Sequence, residues 1–248
     1  MGILGQKHSI ITFDLAIYKV AKEVVWSRPQ EFQHTIIRLG GFHVILNYLG
    51  ALGNMLTSSG VIGLMSESGV FSNTTIKHIL AGGNYKRGVR FHKLLYEALL
   101  RKKLEALKQW LMVTDREDPL ENLDLSDRHT NEELTQAAEV LIAQMQMFDS
   151  VSPEDSQVLK FWNLYLRTAQ TLLSLIRAER SGNWSLYIES LTSMLPMFYA
   201  YDRVNYSRWL PIYICDMVDL EENAPEVHKE FLLGKFSINR TGNPYAAV

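Results

Sequence analysis

The sequence holds one cysteine, Cys215, in 248 residues. A single thiol excludes an internal disulfide and a cysteine-based zinc site, and it fits a reducing compartment. The opening Met1-Gly2-Ile3-Leu4-Gly5-Gln6 lacks the basic head and apolar run of a secretory leader. Gln6 also stands where a myristoylation motif requires Ser or Thr. The expectation is an intracellular protein, nuclear or cytoplasmic, in which the sequons at Asn73, Asn183, Asn205 and Asn239 are chance matches. Charge is missing altogether from residues 39–66, a run long enough to raise the question of a bilayer span. Gly40, Gly41, Gly50, Gly53, His43, Asn47 and Asn54 interrupt it, so the expectation is a helix buried in protein and no membrane partner.

What is present describes an ordinary globular chain, with 47% apolar, 10% aromatic and 21% charged residues. The net charge of −2 conceals an asymmetry. Residues 77–108 carry nine Lys/Arg against Glu97 and Glu105, whereas residues 115–155 carry twelve acids against Arg116 and Arg128. Such a basic segment suits either a polyanion or plain solvation.

Ser9-Ile10-Ile11-Thr12-Phe13 reads as a short strand, Asp14 as the cap of a helix with apolar positions Leu15, Tyr18, Ala21, Val25 and Trp26, and residues 34–39 as a second strand. His43, Asn47, Gly50 and Asn54 then follow helical spacing on one small, polar face. That face allows close approach of another backbone, or contact with a ligand. Helices are predicted from Ser72 or Asn73 to Gly82-Gly83, over 87–111, from the capping box Thr130-Asn131-Glu132-Glu133 to about 148, from Ser152-Pro153 to about 180, and over 184–199, 206–220 and 225–233. The fold class expected is mainly α with a small β element. The segments are 1–66 (αβ), 67–113 (basic helical), 114–129 (acidic linker), 130–234 (helical) and 235–248 (terminal strand over 235–240, then tail).

The order strand, Asp, helix, Pro, strand, Gly-Gly-aromatic-His in "IITFDLAIYKVAKEVVWSRPQEFQHTIIRLGGFHVILN" resembles the middle of the RNase H-like core of Mutator-like transposases. On that resemblance Asp14 matches a metal-binding catalytic acid and His43 the signature histidine, and the remaining helices form a large insertion. Asp14 equally makes an ordinary helix N-cap. The longer stretches "GNYKRGVRFHKLLYEAL" and "SGNWSLYIESLTSMLPMFYAYDRVNYSRWLPIY" look like a family of animal reading frames, found in fish, coral and other invertebrate genomes, that derive from mobile elements. The resemblance implies a magnesium-dependent ancestral enzyme.

Two-metal phosphoryl transfer needs several converging carboxylates. No acid precedes Asp14, and Glu189, Asp202, Asp216 and Asp219 fall on predicted insertion helices or their connections. The expectation is therefore a truncated or decayed transposase-derived chain, without cofactor or cleavage activity, that retains DNA affinity through Lys86, Arg87, Arg90, Lys93 and Arg101. The competing expectation is a helical protein-interaction module. The aromatics Phe198, Tyr199, Tyr201, Tyr206, Trp209 and Tyr213 around Asp202, Arg203 and Arg208 suit a helix-helix corner, or a surface on which bases stack.

Overall fold

A computed structural model describes residues 7–119, 129–151 and 156–237. The chain opens with β1 (Ser9–Phe13), α1 (Leu15–Ser27) and β2 (Thr35–Leu39), and the strands pair in parallel with Ser9 opposite Thr35 and Phe13 opposite Leu39. A parallel pair needs a long crossover, and α1 supplies it. Asp14 is extended, and its Oδ1 accepts the Ile17 N–H at 2.9 Å, so the residue that ends the strand also starts the helix.

α1 buries Leu15, Tyr18 and Lys22. Lys22 takes the place expected for Trp26 because its ammonium has partners: Nζ lies 2.7 Å from Asp216 and 5.1 Å from the Trp26 ring centre. The Tyr18 hydroxyl donates to the same carboxylate at 3.2 Å. Trp26 is displaced outward and stacks on Trp209.

The uncharged run forms α2 (Gly41–Leu56), which is buried over most of its length and contacts α4 and α8. Its small residues allow close approach, as the spacing predicts. A Cβ on Gly53 would land inside the Leu80 carbonyl, and Gly82, at φ +78°, folds its backbone against Gly50. α3 (Val61–Glu67) and α4 (Asn73–Leu80) follow, the latter capped by Ser72 Oγ accepting from Thr75 N–H at 3.3 Å. Among the described residues no helix is long and apolar enough to cross a membrane.

The remaining elements are α5 (Tyr85–Val113), α6 (Asn131–Val151), α7 (Gln157–Ser181), α8 (Trp184–Ala200), α9 (Val204–Val218), α10 (Leu220–Asn223) and α11 (Pro225–Leu232). The capping box forms as expected: Thr130 N–H donates to Glu133 Oε2 at 2.8 Å and Glu133 N–H returns to Thr130 Oγ1 at 3.2 Å. The protein is thus mainly α with a two-stranded sheet. It divides into two compact units, Met1–Lys93 with Arg167–Val248, and Leu94–Leu166, with both divisions falling inside long helices. In the second unit Lys103 ties α5 to Asp149 at 2.7 Å and to Asn163 at 3.1 Å, and Trp110 meets Phe148.

The α8–α9 aromatics make a helix-helix corner. Phe198 stacks on Tyr206, Tyr199 donates to the Ser207 carbonyl at 2.8 Å, and Tyr213 shares a hydrogen bond of 3.1 Å with Tyr187. The strand expected over 235–240 does not start. Lys235 and Phe236 lie in a turn, because the Phe236 ring is held among Trp184, Tyr187 and Phe231 while its carbonyl accepts from Arg38. Residues 238–240, the nominated helix start at 152–155 and most of the acidic linker (120–128) lie outside the described residues.

Candidate functional site

Asp14 and His43, nominated from one short motif, line the same cavity, of about 470 Å³, in the first unit. Its wall is completed by Lys19 of α1, Asn47 of α2, and Asp202, Arg203 and Tyr206 from the turn into α9. The βαβ unit puts Asp14 at the C-terminal end of β1, and the Gly40-Gly41 turn after β2 brings His43 in on the first turn of α2. Gly40 N–H donates to the Phe13 carbonyl at 2.8 Å, which holds the two strand ends together. The Asn47 amide donates to the His43 carbonyl at 3.1 Å.

Lys19 was not foreseen as a site residue, Arg203 and Tyr206 were read as part of the aromatic corner or base-stacking surface and not of this cavity, and Asp202 was set aside as a metal ligand. Asp202 adopts φ 52°, a left-handed conformation that Asp tolerates better than most residues, and so turns the chain into α9. Arg203 then lays its guanidinium over Gly50, where a Cβ would stand 2.6 Å from Nη2. The Arg203 Nε is buried and has no hydrogen-bond partner among the described residues. Burial, reinforced by the Asp14 charge and opposed by a hydrogen bond with Asn47, pushes the Tyr206 hydroxyl up to about 12, so it stays a neutral donor.

Asp14 already spends Oδ1 on the α1 cap. Among the described residues no group of three or more His, Cys, Asp or Glu is placed to hold a metal ion.

Beside the cavity, Phe42 is 53% exposed, and its ring meets His43 at 5.3 Å and Tyr85 at 5.2 Å. Tyr85 begins α5, and Asn84 caps that helix by accepting Arg87 N–H at 3.0 Å. Lys86, Arg87, Arg90 and Lys93 follow, all exposed and with no carboxylate within ion-pair distance among the described residues. Farther along α5, in the second unit, the cations are spoken for. Arg101 reaches Glu97 at 2.7 Å, Lys102 reaches Glu105 at 2.8 Å, Lys103 holds Asp149, and Lys108 lies 3.7 Å from Asp118. The nominated basic set therefore divides: its first four members are open, and Arg101 is ion-paired with Glu97.

Behind Phe42, the Glu179 carboxylate packs where a Cβ on Gly41 would sit. Burial raises its pKa from the usual 4.5 to about 7, against the opposing charges of Arg38 and Arg180. The folded chain thus binds this proton more tightly than the unfolded one. Its stabilising effect is full below about pH 4.5 and is lost as pH rises toward 7, a fall of up to about 3 kcal/mol. Glu179→Gln should remove that slope and leave the variant more stable than the parent at pH 8, as measured by urea unfolding at pH 5, 6.5 and 8.

The family described as a domain of unknown function (DUF8702) matches residues 2–248, and the chain belongs to it. No curated protein and no solved structure matches the chain.

Proposed function

We propose that this protein binds nucleic acid along the surface that runs from the exposed Phe42–Tyr85 pair onto the first two turns of α5, and that it descends from an RNase H-like transposase core whose metal chemistry this chain does not perform. The carrying observation is the contrast along α5, where Lys86, Arg87, Arg90 and Lys93 stand open and the later cations are paired. Lys86, Arg90 and Lys93 share one helical face, spaced to meet successive phosphates over about 10 Å. Phe42 offers a ring on which a base can stack, next to cations that hold the strand. The βαβ order with Asp14 at the strand exit supports the ancestry, and the lack of a metal-holding group among the described residues supports loss of cleavage.

Fluorescence anisotropy with labelled single-stranded and duplex oligonucleotides at low salt tests this reading. Binding of either is expected. Phe42→Ala should weaken single-strand binding about tenfold, the scale of one base-aromatic stack, and leave duplex binding nearly unchanged. Equal affinity of parent and variant for single strands would remove the stacking role, and no binding at all would remove the function.

A helical protein-interaction module is the second reading. It is favoured by the apolar side chains that α6 leaves exposed, Leu134 at 44%, Val140 at 42% and Ile142 at 54%.

A further inference from the structure

The two-stranded parallel sheet leaves one long side of β1 open among the described residues. Parallel strands are ordinarily buried on both faces, and a two-stranded sheet is marginal by itself. Here Ile10 is 45% exposed and Ile11 40% exposed. Ser9 N–H donates to His34 and Gly40 N–H donates to the Phe13 carbonyl, so residues 9, 11 and 13 bond to β2. By alternation, the N–H and C=O of Ile10 and Thr12 point to the free edge.

The helix above repeats the pattern. Lys22 and Val25 line a pocket with Thr35, Ile36 and Ile37 of β2 and with Asp216 and Met217 of α9, which places α9 on the β2 side of α1. The opposite side of α1 overlooks the open edge of β1. It carries Ile17 at 53%, Val20 at 59% and Val24 at 39% exposure. Neither this stripe nor the strand bears a charge, a proline or a bulge of the kind that protects natural edges.

We propose that this chain forms a two-fold dimer in which β1 pairs antiparallel with β1 of a second copy and α1 packs against α1. A dyad at Ile11 sets Ile10 of each copy opposite Thr12 of the other and satisfies the four edge groups at once, which makes the edge its own complement. Helix spacing agrees. With strands about 4.8 Å apart and α1 seated over the β1–β2 boundary, the two α1 axes come within about 10 Å, the distance at which helices pack. The apolar patch is on the order of 400 Å² per copy, and the paired backbone and the flanking polar groups bring the total toward the roughly 800 Å² per partner of a standard interface.

Sedimentation equilibrium of the full chain from about 1 to 100 μM tests the proposal against the association scale expected of such an interface. A dimer is expected. Ile10→Pro removes a donor that faces the free edge and leaves the β2 ladder intact, and Val20→Glu places a charge in the α1 stripe. Each should raise the dimer dissociation constant at least 100-fold while the helical circular dichroism stays unchanged. If Ile10→Pro fails to fold, Val20→Glu decides alone. A parent chain that is monomeric throughout, or a folded Val20→Glu chain that remains as dimeric as the parent, overturns the proposal.

Discussion

Gly53→Ala is expected to lower the free energy of unfolding by about 3 kcal/mol or more, or to prevent folding outright. The added Cβ would occupy the position of the Leu80 carbonyl, which is backbone and cannot rotate away. Relief requires α4 to lift from α2, breaking the contacts of Ile76, Ile79 and Leu80, all buried. Gly63→Ala in α3 is the matched control, because nothing lies within 4 Å of its would-be Cβ. The better helix propensity of Ala should stabilise that variant by up to about 1 kcal/mol. Urea unfolding of both proteins measures the difference, and equal midpoints would mean that α2 and α4 are not packed through Gly53.

The second large effect concerns binding. Reversing Lys86, Arg90 and Lys93 to Glu is expected to reduce nucleic-acid affinity at least 100-fold at 50 mM salt, since three favourable phosphate contacts are lost and three repulsive ones are gained. The variant should fold normally, because all three side chains are exposed. Arg101→Glu should change affinity far less, because it reverses one cation that already has Glu97 as a partner, where the triple variant reverses three open ones. If Arg101→Glu were as damaging as the triple variant, binding would follow net charge and not this face.

The beginning of the fold was legible because two local signals coincided there. A β-branched run ends in Asp14, and Asp is both a strand exit and a cap; β1 and α1 begin at the residues the sequence indicates. The capping box at Thr130 was legible for the same reason. Short elements were not. α3 and α10, of 7 and 4 residues, have no periodicity to read and owe their existence to tertiary packing of Val61, Met65 and Leu220. Lys22 misled the reading of α1, because its burial depends on Asp216 in a helix far along the chain.

The cavity was half legible. Asp14 and His43 belong to one motif, whereas Lys19 sits on a helix whose other face is the packed one, and Arg203 and Tyr206 arrive from some 160 residues away. Gly50 carried the one local trace of Arg203, a gap on the small, polar face of α2, but a gap does not say what fills it. For the basic segment, composition set Arg101 beside Lys86, and the Glu97–Arg101 spacing of one helical turn already held the pairing that separates them.

The most direct test of a phosphate-binding face is the salt dependence of affinity for a duplex oligonucleotide between 50 and 200 mM salt. About four phosphate contacts predict a slope of log K against log salt near −3.6 and a loss of affinity of about 100-fold over that range, with the slope falling to about −0.9 or less in magnitude in the triple charge-reversal variant, which keeps only Arg87. Affinity that is insensitive to salt, or a slope that the variant keeps, would contradict the assignment of Lys86, Arg87, Arg90 and Lys93 to nucleic acid.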